Sequence, residues 1–256
     1  AASTLTKTGY SIAFNAFTVS ATGILADGSV SVQNFTVTDN DATALITISS
    51  YTAWTANSSF AWNHTDTRTT DTITFTIGGN TSANQWGVLK NGAAFTSGTV
   101  NGSGQVVFTM LGSDPNVVVT ISTPCGANRY WVLGSGNWTD TAHWASVSGG
   151  AFGCAVPTSA NGVVFDANSG SGTATVNGNA SMASLNTTGS TIGTIAVGTF
   201  DFAVSGNVAL AAGAITMGAS TLNGFTVTGN LTLSGSAFIS MSGASKGSVT
   251  GNVNVS

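Results

Sequence analysis

Apolar and polar residues alternate with a period of two through short runs along most of the chain. Examples are Ser31-Val32-Gln33-Asn34-Phe35-Thr36-Val37, Thr72-Ile73-Thr74-Phe75-Thr76-Ile77 and Gln105-Val106-Val107-Phe108-Thr109-Met110. Alternation of this kind predicts strands with one buried face. Turn residues separate the runs at Ala26-Asp27-Gly28, Gly78-Gly79-Asn80, Lys90-Asn91-Gly92, Asn101-Gly102-Ser103-Gly104 and Ser113-Asp114-Pro115. From Gly9 to Ser122 the spacing predicts seven or eight strands in a two-sheet β-sandwich.

The pattern changes at Pro124-Cys125-Gly126, because proline and glycine together stop a strand. This sets two domains, 1–123 and 124–256. After a Trp-rich stretch, the second becomes self-similar. Aligned on Gly-Asn, it reads Val176-x-Gly178-Asn179-Ala180-x-Met182, Val204-x-Gly206-Asn207-Val208-x-Leu210, Val227-x-Gly229-Asn230-Leu231-x-Leu233 and Val249-x-Gly251-Asn252-Val253-x-Val255, at intervals of 28, 23 and 22. Phe202 and Phe225 each stand two residues before the valine. Short strands with Gly/Asn corners at such a period predict a parallel β-helix, one coil per period. Apolar positions two apart would stack as an internal ladder. Glycine admits a positive φ and asparagine tolerates it, so Asn179, Asn207, Asn230 and Asn252 are expected to form a stacked amide ladder. The sequence stops mid-strand at Val255-Ser256, which predicts further coils.

Composition sharpens this picture. The chain of 256 residues carries five Lys or Arg against nine aspartates, with no glutamate. Exposed helices normally draw on Glu, Lys and Arg, so few are expected, and the chain reads as all-β. Mean hydropathy is positive, yet every apolar run is broken well before the roughly 18 residues of a spanning helix, so no membrane insertion is expected. A net charge of −4 spread over isolated aspartates offers no basic stripe for nucleic acid. A surface of uncharged hydroxyls and amides suits a component of a larger assembly. Cys125 and Cys154 stand 29 apart with three tryptophans between them. Either they form a disulfide, which an oxidising compartment favours, or they are two buried thiols. No metal site is expected, since nearby His and Cys spacing does not suit zinc.

Two segments resemble known families. Trp86 to Val100, reading WGVLKNGAAFTSGTV, resembles the paired strands of immunoglobulin-like repeats in bacterial and phage surface proteins. The stretch Trp131-Val132-Leu133-Gly134-Ser135-Gly136-Asn137-Trp138-Thr139-Asp140-Thr141-Ala142-His143-Trp144 is similar to the W-x-x-G-x-G-N-W-x-D-x-x-H/N-W opening before β-helical repeats. That opening occurs in autotransporter-type adhesins and tailed-phage fibre proteins. Leu133 stands where a glycine is often found. The resemblance implies an immunoglobulin-like sandwich followed by a capped β-helix, and no chemistry. Physics agrees on the cap: an open solenoid end exposes an apolar cross-section and a free edge, and Trp131, Trp138 and Trp144 are the expected plug.

Chemical alternatives are few. His143 with Asp140 and Asp166 is the leading candidate for an acid-base cluster, but their spacing fits local turns and caps. Between Ser169 and Ser256 there is one acid, Asp201, and one base, Lys246, too few for the carboxylate sites of polysaccharide lyases or hydrolases. Trp54, Trp62 and Trp86 are candidates for stacking on sugar rings, set against the reading that they fill the sandwich core. The expectation is a non-enzymatic module without cofactors, extracellular on a virion or microbial cell surface. Its expected partners are other structural subunits or copies of itself, with adhesion to surface glycans as the alternative function.

Overall fold

The computed structural model describes residues 56–66, 70, 72–111, 114–219 and 224–256, and before them the strands Leu5–Thr8, Ile12–Phe14, Thr18–Val19, Leu25–Ala26, Phe35–Asp39 and Leu45–Ser49. The sequence-predicted turn at Asp27-Gly28, residues 31–34 of the first run, Ser113 and Trp54 lie outside the described residues. Apart from one 3-10 turn at Thr141–His143, every described element is a strand. The chain divides into two compact units, Ala1–Pro124 and Cys125–Ser256.

Among the described residues of the first unit, ten strands make two antiparallel sheets. One has the order Leu5–Thr8, Leu45–Ser49, Phe60–Asp66, Asp114–Ser122, Gln85–Lys90, Ala93–Thr99; the other runs Val106–Leu111, Thr72–Ile77, Phe35–Asp39, Ile12–Phe14. Thr18–Val19 and Leu25–Ala26 pair separately. The strands outnumber the seven or eight expected, because segments of two to four residues are too short to show alternation. Where alternation is strong it governs burial. Thr72–Ile77 buries Ile73, Phe75 and Ile77, and Val106–Leu111 buries Val106, Phe108 and Met110. These residues share one apolar cluster with Phe60, Trp62, Trp86, Val88, Val117, Val119 and Ile121 of the larger sheet. Ring centroids of Trp62 and Phe75 are 5.0 Å apart, and those of Phe75 and Phe108 5.6 Å. Asn91 and Gly92, at φ of 51° and 79°, make the two-residue turn that joins Gln85–Lys90 to Ala93–Thr99.

In the second unit the strands pair in parallel and wind as a β-solenoid of about four turns. Each turn contributes one strand to each of three sheets. The first sheet stacks Asn128–Trp131, Gly162–Val164, Ser184–Asn186, Val208–Leu210, Leu231–Leu233 and Val253–Val255, with Trp144–Ala145 antiparallel on its outer edge. The second stacks Gly136–Asn137, Gly172–Thr175, Ile192–Gly198, Ala214–Met217 and Phe238–Met241. The third stacks Ala180–Met182, Phe202–Val204, Phe225–Val227 and Gly247–Val249. Equivalent residues of successive coils sit above one another, so the core is a set of columns: Val163, Leu185, Val208 and Leu231 on the first sheet, and Met182, Val204 and Val227 on the third. Each such side chain contributes about 1.5–3 kcal/mol when fully buried.

Candidate functional site

The entry to the solenoid is the most densely built part of the second unit. Cys125 and Cys154 form a disulfide, with Cα atoms 5.7 Å apart. Beside it the Arg129 side chain, only 8% exposed, donates from Nε to the Ala155 carbonyl at 2.9 Å and from Nη1 to the carbonyls of Gly126 and Asn128. Burial pushes its guanidinium below the usual arginine range, and the carbonyl oxygens supply the acceptors its charge needs. The disulfide and the Arg129 Nε hydrogen bond thus hold the strand Asn128–Trp131 against the segment at 154–155.

Inside this clasp lie the three expected plug residues, and all are buried: Trp131, Trp138 and Trp144. Trp144 meets Trp131 and Trp138 edge to face, at centroid distances of 5.0 and 4.8 Å, a favoured geometry for aromatic pairs. Trp131 Nε1 donates to the Gly134 carbonyl and Trp144 Nε1 to that of Trp138. Trp138 reaches inward to Phe202 at 5.4 Å, and Phe202 stacks on Phe225 at 6.2 Å. Ala180 occupies in its coil the position that Phe202 and Phe225 hold in theirs. Leu133 has φ of 66°. That is the left-handed region, which accounts for the glycine often found at this place in the resembling motif.

His143, Asp140 and Asp166 are each taken up by local structure. The His143 ring lies parallel to Trp131 at 4.7 Å, its Nδ1 is 2.8 Å from the Val132 carbonyl, and a β-carbon added to Gly136 would overlap its Nε2. Asp140 caps the 3-10 turn by accepting the Ala142 N–H, and Asp166 accepts the Asn168 N–H. What this arrangement does is order the cap. Among the described residues no three His, Cys, Asp or Glu side chains gather as metal ligands.

The corners carry ladders of side-chain oxygens. Asn207 Oδ1 accepts the backbone N–H of Asn230, and Asn230 Oδ1 accepts that of Asn252, both at 2.9 Å. The glycine before each asparagine is dictated by proximity rather than by a positive φ. A β-carbon on Gly229 would stand 2.5 Å from the Gly206 carbonyl carbon and oxygen. Asn179 does not belong to this ladder. Its strand Ala180–Met182 pairs with Phe202–Val204, so Asn179 lies one corner earlier in the coil. The 28-residue interval was the sign of that offset. There, Asn179 Oδ1 accepts the N–H of Asp201, and Asp201 Oδ1 accepts that of Gly224. Sequence reasoning missed this second ladder because its three positions hold three different residues, and only their spacing of 22 and 23 marks them.

Of the tryptophans considered for sugar stacking, Trp62 and Trp86 are buried in the core of the first unit and present no face to solvent. An open cavity of about 260 Å³ in that unit is lined by Thr72, Lys90, Phe95, Thr109, Met110 and Leu111. No described helix is long and apolar enough to cross a membrane. Comparison of the chain with protein-family models, with curated proteins and with solved structures finds no match.

Proposed function

We infer that the chain is a non-enzymatic structural component of an extracellular fibre or virion appendage, serving docking, spacing and attachment. The observation that carries this reading is the double use of polar groups along the solenoid: Asn207, Asn230, Asn179 and Asp201 each spend a side-chain oxygen on the backbone of the next coil. A wall whose polar groups bind its own coils is suited to extension and stiffness. The disulfide, which closes a loop around the Trp cap, favours an oxidising compartment outside the cytosol. His143, Asp140 and Asp166 are engaged as stacking and capping groups, which supports a structural reading of the one cluster that invited an acid-base role.

The first unit, with its two antiparallel sheets around one core, is read as an immunoglobulin-like sandwich that docks, and the solenoid as the part that projects. Resemblance of the Trp-rich entry to openings in phage fibres and autotransporter-type adhesins supports placement on a virion or a microbial surface. Incubation with a panel of polysaccharides, assayed for reducing ends and unsaturated products, tests the non-enzymatic reading. No turnover is expected; turnover abolished by His143→Ala or Asp140→Ala contradicts it.

A further inference from the structure

The two sheets of the first unit end side by side in sequence on very different edges. Ala93–Thr99 is the terminal strand of the larger sheet, and its pairing shifts register between Ala94 and Thr96. Such a bulge twists an edge away from further pairing. Val106–Leu111 is the terminal strand of the smaller sheet and pairs with Thr72–Ile77 without any shift. It reads Val-Val-Phe-Thr-Met-Leu, with no charge, proline or glycine. Among the described residues no strand pairs with its free side. Its outward side chains Val107 and Leu111 are 44% and 63% exposed, which is unusual for large apolar residues on an edge.

We propose that this edge pairs antiparallel with the same edge of a second copy, joining two four-stranded sheets into one of eight. The strand is self-complementary about Thr109. With Thr109 opposite its own equivalent, Val107 faces Leu111 of the second copy on the outer surface and Phe108 faces Met110 on the inner one. Both buried and exposed rows then continue across a two-fold axis with apolar cross-strand pairs. No like charges meet, because the strand has none. Five residues of pairing from each copy make a small interface, so the dimer is weak alone and is reinforced where many copies lie along one fibre. The proposal rests on the assembly reading above.

Sedimentation equilibrium of the intact chain from about 1 to about 100 µM tests it. A monomer–dimer equilibrium is expected, abolished by Thr109→Lys, which sets two ammonium groups opposite each other, and retained in Thr76→Lys, which adds the same charge one strand inward. Circular dichroism of each variant checks that the fold is kept. Because the two native cysteines are bridged, Thr109→Cys supplies a single thiol, and mild oxidation is expected to give a covalent dimer. A discrete dimer that Thr109→Lys leaves intact overturns the edge proposal and leaves the assembly reading standing. A strictly monomeric chain in which Thr109→Cys also fails to cross-link overturns the proposal and removes self-association as the route of assembly. Polydisperse aggregate in place of a dimer likewise overturns it.

Discussion

The side-chain carbonyl of Asn207 stands 2.9 Å from the backbone nitrogen of Asn230, one coil further on, and accepts its hydrogen. The same bond recurs from Asn230 to Asn252. A corner that reads the next corner in this way locks the coils in register, since a slip of one residue would break every rung and turn the inward columns outward.

Replacing Asn230 by alanine removes the acceptor for the Asn252 N–H and should cost about 1 kcal/mol of stability. Asn230→Asp keeps an acceptor oxygen and should stay near wild type. Asn179→Ala, on the other corner, should cost a similar amount, and the two alanine variants should add because their ladders share no member. Thermal or denaturant unfolding of the single and double variants gives the comparison.

Two glycines that look alike in sequence should respond differently. Gly229→Ala drives a β-carbon to 2.5 Å from the Gly206 backbone and should destabilise by about 3 kcal/mol. At Gly178 the nearest atom, Thr139 Cγ2, is 3.7 Å away, so Gly178→Ala should be tolerated. Equal losses at both positions, measured by urea unfolding, would return Gly178 to the same corner as the others.

Gly136 and His143 should be energetically coupled. Gly136→Ala displaces the imidazole from its seat on Trp131 and should destabilise the cap, whereas in a His143→Ala background the added methyl finds space and the penalty should shrink. A double-mutant cycle on unfolding free energy is expected to give a coupling of about 1 kcal/mol or more.

The disulfide should appear in a non-reducing peptide map as one joined fragment containing Cys125 and Cys154. Replacing both by serine should lower stability by about 3.6 kcal/mol, the chain-entropy value for a separation of 29 residues. An unchanged midpoint of unfolding would show that Arg129 and the Trp plug hold the cap without it.

The solenoid was legible in the sequence because its columns are made of like residues: Phe202 and Phe225, Val204 and Val227, and the Gly-Asn corners at 206, 229 and 251. Where the columns mix residue types, legibility failed. Gly178-Asn179 imitates the repeat locally but precedes a different strand of the coil, and only pairing in space separates the two corners. The Asn179, Asp201 and Gly224 ladder has no common residue; what its rungs share is an oxygen facing the next backbone N–H. At the cap, three tryptophans signalled a plug, but the seat of His143 over Gly136 depends on a close approach that no spacing reveals. In the first unit, the long alternating strands were visible, while strands such as Ile12–Phe14 acquire their state from neighbours rather than from their own pattern.

A structural part carried outside the cell should be found there when the chain is quantified by mass spectrometry in purified virions, sheared surface appendages, cell envelope and cytosol, with free thiols alkylated at lysis. Enrichment in virions or appendages, with Cys125 and Cys154 bridged, is expected. A chain confined to the cytosol with both thiols alkylated would contradict it.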